Sequence, residues 1–600
     1  MAVKNAILQK HFEKCGFDDD FFNDYESVTN DTMQNVDEMC SRLYDIREKN
    51  QKIVIYTDYD VDGIMSSVIA CAGLSQLGFD VELFKPTPSD GYGIRTSDID
   101  DVRNSFPTAS VILTGDVGVS CNDAIKYAQA AGFTVLVTDH HTGLEPCLAD
   151  VTVNPNQFGE TYSDGYICGS YVLYKVIERF ANLYCSRTQQ ADIYRLQLFA
   201  GIATISDVMP LLHENRQLVR NSISLMRYFY AYELSEDNTI APPVYSDNYS
   251  RAFVGVKKLL EYFRSLKKIR TAEDIDEQFY AFYLVPFLNS TKRMDGDMRG
   301  VYDIFFSKYI HPFPDFENMS CVDNGIKYVE ILNFRRKELT SFYTNQLIEE
   351  KTAHITENSK YMQCEVYITT ASAGLLGLLA SSFIGVTGVP TLVLNENPDG
   401  SYSGSGRNPS FFDFANTLLE HGINISCPGH REAFGVFIPD KSVLLDYVRF
   451  FRDFIIPEFI RLSLDKTAVS DTRISIAHQG CTPCDFVSDS VLIKDFMSEV
   501  QRYHPFGRAF PKPGFIYYVR PDAVSEKMFG SENQHAKLIT NDGIEILLFN
   551  QALDLEKIKY DNKDDDYLFA CSGSFKYDDF DNAEYDTLNF LADSIEAVKV

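Results

Sequence analysis

The 600-residue sequence has no tryptophan, no excess of basic charge and no apolar run long enough to cross a bilayer. Without indole, Phe (44) and Tyr (35) must carry the aromatic packing. With 45% hydrophobic and 23% charged residues, the composition excludes global disorder and collagen. The longest apolar stretch, Gly374 to Val386, falls short of the roughly 18 residues a membrane helix needs, and no charged-then-apolar leader opens the sequence. No membrane association and a cytoplasmic location are therefore expected. Lys plus Arg (55) against Asp plus Glu (85) leaves a net charge of −30. Most of the surface must repel polyanions, so nucleic acid could be met only in a local basic groove. Thirteen cysteines, an odd number without disulfide-type spacing, fit free thiols in a reducing compartment. There is no internal repeat.

At roughly 100 to 200 residues per domain the chain should hold three to five domains. The fold class read from the pattern is α/β. Residues 1–50 read as short helices with an acidic face. Over 51–235, short β-branched runs (KIVIYT, VELF, SVILTG, TVLVT, VTV) alternate with helical patterns, which implies a doubly wound parallel sheet with functional residues at the strands' carboxyl ends. Residues 236–355 read as a helical connector and 356–458 as a second α/β segment. The stretch 459–560 returns to short strands without long helices, which suits a small β-barrel of the oligonucleotide-binding kind. Residues 561–600, acidic and aromatic, read as a tail whose part from Asp561 to Asp586 is a solvated edge or arm.

Chemistry concentrates in 51–235. Asp58, Asp60 and Asp62 alternate just past KIVIYT, and Gly63 permits a sharp turn into the next helix. Asp116 closes the next strand, Asp139, His140 and His141 close a third, and Asp207 follows GIATIS. An isolated Asp after a strand is commonly a helix cap or turn residue. Four such sites in register, with carboxylates close enough to repel, instead call for a cation. Carboxylates with imidazole suit Mn²⁺, with Mg²⁺ as the alternative, and two ions about 3.5 to 4 Å apart would serve in-line displacement at phosphorus.

The motifs DYDVDG (58–63), GDVGVS (115–120), DHH (139–141) and SDVMPL (206–211) resemble the four motifs of the DHH phosphoesterase superfamily. DGYGIR (90–95), VNPN (153–156), VPFLNSTKRM (285–294), SGSGR (403–407), PGHREAFG (428–435) and PFG (505–507) are similar, in order over about residues 50–550, to RecJ-type single-stranded-DNA exonucleases. That resemblance implies a DHH domain, a helical connector, a DHHA1 domain and an OB-like barrel around a channel, and 5′ to 3′ hydrolysis of single-stranded DNA in repair or recombination. It makes Asp60, Asp62, Asp116, His140 and Asp207 the Mn²⁺ ligands, with Asp58 a ligand or an outer partner. It also has Asp139 orienting His140, and His141 contacting the scissile phosphate. A single-strand-binding protein or helicase is the implied partner. The chain departs from the family at Thr87 (Arg there), at Ala371 and Ser372 (Trp-His there), at Lys292 of KRM (GRM there) and at Pro428 of the PGH turn. These departures touch end recognition and processivity and leave the metal set intact.

By the same resemblance Asn289, Arg293, Ser405, Gly406, Arg407, Gly429 and His430 hold the substrate. Taken alone, SGSGR is a hairpin signal; joined to Gly429 and His430 it reads as a phosphate clamp. KKLLEYFRSLKKIR (257–270) reads as an amphipathic helix with a solvated basic face, and as the best candidate for part of a basic track. Phe515, Tyr517 and Tyr518 read as core aromatics before base-stacking platforms. Cys481 and Cys484, with His478 nearby, read as a turn with free thiols, since a zinc site would need a fourth ligand. Two other functions fit the superfamily: a nanoRNase or cyclic-dinucleotide phosphodiesterase, and an inactive replication scaffold. The extra C-terminal length argues against the first and the complete acidic set against the second.

Overall fold

Strands Lys52–Thr57 (β1), Val81–Phe84 (β2), Ala109–Gly115 (β3), Thr134–Thr138 (β4) and Val151–Val153 (β5) form a sheet of order β2-β1-β3-β4-β5. Every pairing is parallel. The structure is a computed structural model and describes residues 5–17, 21, 32–85, 93–162, 165–234, 246–296, 298–306, 321–357, 365–409, 411–429, 431–467, 473–478, 486–488, 490–530, 533–563, 565–577 and 588–599. Because β1 has β2 on one side and β3 on the other, the order in which strands are added reverses between β1 and β3. A crevice opens at such a point beyond the carboxyl ends of the strands. Both faces are covered, which is why the strands read as continuous apolar runs. Val54, Tyr56, Ile112, Val135 and Val137 pack with helices Thr96–Ser105 and Asn122–Ala130. Helix Val61–Gln76, buried along nearly its whole length, lies among β1 and helices Gly169–Tyr184 and Gln197–Ser206.

From Gly169 to Glu357 the chain is largely helical and ends in the 37-residue helix Cys321–Glu357. The basic stretch 257–270 is not one helix. Helix Asp247–Ser265 is capped at Leu266, Lys267 takes a left-handed φ of +55°, and Lys267, Lys268 and Arg270 lie beyond the last turn. A second sheet follows, Val366–Ile368 (β6), Thr391–Glu396 (β7), Tyr402–Arg407 (β8) and Ala433–Ile438 (β9), in sequential order with β6 and β7 parallel and the remaining pairs antiparallel. SGSGR thus lies on a strand and not in a hairpin turn. Its glycines are there for close approach: a Cβ on Gly404 would stand 2.1 Å from the Val393 carbonyl, and one on Gly406 2.2 Å from the Phe434 ring.

The chain divides into two units, the larger made of Asn30–Met209 and Glu214–Ala468. The smaller joins Val469–Val600 to Met1–Thr29 and Pro210–His213, so the N-terminal fifty residues are split. Helix Val36–Glu48 belongs to the larger unit, and helix Ala6–Lys14 buries Leu8 and Phe12 in the core of the smaller. That core is covered by an open eight-stranded sheet and not by the expected closed barrel. In chain order its strands are Ile474–His478 (β10), Phe486–Ser488 (β11), Phe515–Val519 (β12), Val524–Phe529 (β13), His535–Thr540 (β14), Glu545–Leu548 (β15), Tyr567–Tyr577 (β16) and Leu588–Lys599 (β17). The sheet order is β11-β10-β12-β16-β17-β15-β14-β13. Helices Ser490–Gln501 and Ala552–Asp561 interrupt the strands. The acidic tail supplies the two central strands. Phe569, Cys571 and Phe575 of β16 and Phe590 and Ala592 of β17 turn inward, an alternation masked in the sequence by the carboxylates around it. Phe515 and Tyr517 are fully buried in this core. Among the described residues no helix is long and apolar enough to cross a membrane.

Candidate metal centre

The crevice beyond β1 and β3 gathers the acidic residues. Asp60 caps helix Val61–Gln76, its Oδ1 accepting the backbone N–H of Asp62 and Gly63 at 3.0 and 3.2 Å. Only glycine serves at 63, because a Cβ would lie 2.0 Å from the Asp58 carbonyl oxygen. Asp62 points the other way and accepts the N–H of Gly169 and Ser170 at 2.7 and 2.8 Å, at the start of helix Gly169–Tyr184, where exposed N–H groups and the helix dipole favour an anion. Gly169 lets that helix close on the site, since its Cβ would meet the Asp116 side chain at 2.6 Å. Asp116 itself, just past β3, holds a left-handed φ of +63°, a conformation that costs a non-glycine residue energy and clusters at functional sites. The DHH loop is latched from behind by VNPN: Asn154 Nδ2 donates to the His141 carbonyl at 2.8 Å, and Asn156 Nδ2 to that of His140 at 2.5 Å.

His140 faces three carboxylates, its Nε2 lying 3.3 Å from Asp116 Oδ1, 3.6 Å from Asp207 Oδ2 and 3.9 Å from Asp62 Oδ2. Burial pushes this imidazole below its ordinary value in spite of the neighbouring carboxylates. Nε2 makes a hydrogen bond to none of the three, so a cation between them would satisfy the ring and the carboxylates together. Asp116 Oδ1 and Asp207 Oδ2 are buried and accept no hydrogen bond, which is the state expected of metal-ligand atoms. Three groupings have donors close enough to hold an ion: Asp62, His140 and Asp207; Asp116, His140 and His141; and Asp58, Asp60 and Asp116. Burial and the surrounding carboxylates push Asp116 and Asp207 well above the usual carboxyl range. Burial with Asp60 beside it raises Asp58 to about 7. For Asp60 burial acts upward, yet Lys292 and the Gly63 N–H hold it below its ordinary value.

Asp139 does not orient the His140 ring. Its Oδ1 meets His141 Nδ1 at 2.8 Å and accepts the backbone N–H of His140 at 2.7 Å, while Oδ2 accepts the N–H of Val119 at 2.9 Å. The His140 ring is turned toward the carboxylates instead. Burial opposes protonation of His141, but the Asp139 hydrogen bond prevails and lifts it to about 9, leaving an imidazolium with Nε2 as its second donor.

Beyond the carboxylates lies a line of cations. Arg293, on helix Ser290–Arg293, donates to the Gly374 carbonyl at 3.4 Å. Arg407, at the end of β8, is held by Ser381 Oγ (3.0 Å), Ser405 Oγ (3.0 Å) and the Gly406 carbonyl (2.8 Å). Burial lowers the proton affinity of Arg407, to about 10, and that of Arg336, and Arg293 adds to the effect in both. Lys337 is lowered by burial and then by Arg336 and Lys268. Among the described residues no carboxylate pairs with Arg293, Arg336, Lys337 or Arg407. Sequence reasoning missed Arg336 and Lys337, although the run Arg335-Arg336-Lys337 on a long helix was a visible signal. They line a groove of about 310 Å³ with Thr340, Ser341, Thr344 and Ser382. Of the stretch 257–270, Lys258 is paired with Glu261 and Asp323 and Arg270 with Asp274, whereas Lys268 approaches Lys337. Asn289 Oδ1 is buried and unbonded. Gly429, with φ +129°, bridges Phe434, the residue paired with Gly406. Thr87, His430, Cys481 and Cys484 lie outside the described residues.

Residues 52–202 match the DHH family, N-terminal domain. Over 537 residues the chain is 24% identical to the single-stranded-DNA-specific exonuclease RecJ of Bacillus subtilis, covering 87% of this chain and 58% of that protein. Its Escherichia coli counterpart is 23% identical over 527 residues, covering 84% of this chain and 81% of that protein. Residues 52–202 thus carry a DHH-family domain, in a chain that is similar to RecJ proteins along most of its length. Its fold matches the crystal structure of RecJ in complex with Mn²⁺ from Thermus thermophilus, with a TM-score of 0.67 and 17% identity, over 98% of this chain and 76% of that one. The chain spans a little over half the length of the Bacillus protein and most of the Escherichia one.

Proposed function

We propose that the protein is a metal-dependent exonuclease that hydrolyses single-stranded DNA from the 5′ end to 5′ mononucleotides, in DNA repair or recombination. The observation that carries the reading is the His140 ring facing Asp62, Asp116 and Asp207, two of them with unbonded buried oxygens, beside a line of arginines that pair with no carboxylate among the described residues. The relatives named as single-stranded-DNA-specific exonucleases supply the substrate class. Asp62, Asp116, His140 and Asp207, with Asp58 and Asp60 adjoining, would hold Mn²⁺, and Mg²⁺ less well because imidazole is among the donors. A divalent ion there would supply Lewis acidity and neutralise charge on the phosphoryl oxygens.

The chain's own residues do the rest. Asp139 fixes the His141 ring through Nδ1, so that Nε2 donates to the scissile phosphate. Ser405, Gly406 and Arg407, with Arg293, Asn289, Gly429 and His430, hold the strand's backbone, and the β6–β9 segment is accordingly read as the DHHA1 domain. The groove along Arg336 and Lys337 would carry the following nucleotides. A single-strand-binding protein or helicase would deliver the substrate. The test uses single strands labelled at either end, with Mn²⁺. A 3′ label persisting on progressively shorter products is expected, and early release of a 3′-terminal label as mononucleotide would refute the polarity.

A further inference from the structure

Lys292 stands beside the carboxylates on a fixed base. Its helix, Ser290–Arg293, is anchored by Ser290, whose hydroxyl donates to the carbonyls of Phe287 and Val329 at 2.7 and 3.3 Å. The ammonium lies 3.4 Å from Asp60 Oδ2, 3.8 Å from Asp58 Oδ2 and 4.8 Å above the Tyr59 ring. It therefore pairs with two members of the Asp58, Asp60 and Asp116 grouping, while of the Asp62, His140 and Asp207 grouping only Asp207 feels its charge, at longer range. A divalent ion brought to Asp58 and Asp60 would stand roughly 4 to 5 Å from this fixed positive charge, where repulsion in a partly desolvated site is strong.

Resting on the reading of this crevice as a divalent-metal centre, we propose that Lys292 is a built-in cation in place of a second ion. The protein then binds one divalent ion, at Asp62, Asp116, His140 and Asp207, while the ammonium neutralises Asp58 and Asp60. This departs from the two-ion expectation drawn from the sequence. The ammonium is a point charge with three donors, able to meet a phosphoryl oxygen much as an ion would, but it carries half the charge and cannot be removed by a chelator.

The experiment counts ions. Full-length protein stripped with chelator is dialysed against Mn²⁺, bound metal is measured by elemental analysis, and the Mn²⁺ paramagnetic resonance spectrum is recorded. One tight equivalent with an isolated-ion spectrum is expected for the wild type and for Lys292→Arg. Two equivalents, with the spectrum of an exchange-coupled pair, are expected for Lys292→Met, the second tightening by about 100-fold. Lys292→Gln, which keeps polarity without charge, should behave like Lys292→Met, and circular dichroism verifies that each variant is folded. Two tight, coupled ions in the wild type would overturn the proposal while leaving the metal centre standing. A single equivalent in both folded, uncharged variants would overturn it as well. A wild type that binds no Mn²⁺ would instead bring down the metal-centre reading on which the proposal rests.

Discussion

Replacing Arg407 with Ala tests whether the second sheet holds the strand. The guanidinium is already oriented: three of its hydrogen bonds go to Ser381, Ser405 and Gly406, none to a carboxylate. Its binding capacity is therefore unspent, and a phosphate would meet a charge-assisted donor worth about 1.5 to 3 kcal/mol, or roughly a 10- to 150-fold change in affinity. Folding should be little affected, because the three lost bonds are offset by relief of the repulsion from Arg293. The loss should appear as a raised KM at nearly constant kcat, the signature of binding equal in ground and transition states. Arg407→Lys restores charge but not the planar fork and should recover only part of it. Gly377→Ala is the control that leaves the arginine in place: its new Cβ would sit 2.8 Å from Arg407 Nη2 and must displace it. It should raise KM several-fold in a protein that still folds. The assay is steady-state hydrolysis of end-labelled single strands, with Mn²⁺ binding measured in parallel. An unchanged KM in Arg407→Ala, or loss of metal binding, would refute the reasoning.

Metal-free protein should become more stable as pH falls from 8 toward 5. Asp58 is raised from 3.8 to about 7 in the fold, so the penalty of its ionised form is absent below the unfolded value and complete above the folded one. The ceiling is about 4 kcal/mol; Asp58→Asn should flatten the profile of melting temperature against pH, and a profile unaffected by it would contradict the assignment. Asp116→Ala should abolish hydrolysis yet raise the melting temperature of metal-free protein, because a buried, repelled carboxylate is removed; a lower melting temperature would show that Asp116 has a structural role instead. Asp139→Asn removes the hydrogen bond that lifts His141 to about 9, so the alkaline limb of the rate profile should move down by about 2 pH units toward the ordinary histidine value. An unmoved limb would mean that His141 does not act as a cation. Arg336→Ala with Lys337→Ala should reduce the salt dependence of single-strand binding by up to about 1.4 in log–log slope; an identical slope would remove the groove from the DNA path.

The parallel sheet and its acidic set were legible because alternating runs and strand-end aspartates are local patterns, and local patterns survive in one sequence. Which histidine Asp139 serves was not legible, since it depends on ring rotation decided by Asp62, Asp116 and Asp207 from three other segments. The tail was misread for a related reason. Its carboxylates dominate the composition, whereas the inward alternation of Phe569, Cys571 and Phe575 gains meaning only against Phe590 and Tyr517. Lys292 stood out in the sequence only as a departure from the family's GRM; that it reaches Asp60, 232 positions away, is a fact of tertiary structure.

Helix Ala6–Lys14 and strand β17 share one core although nearly six hundred residues separate them. At ribosomal speeds of roughly 5 to 20 residues per second, Leu8 and Phe12 leave the ribosome about half a minute to two minutes before β17 does. For most of that interval, until Tyr503 and Phe510 emerge, Phe12 lacks the rings it packs against, while residues up to Ala468 can already assemble the larger unit. The smaller unit is therefore completed after the larger one, and its helix Ala6–Lys14 stays open to chaperones and proteases in the meantime.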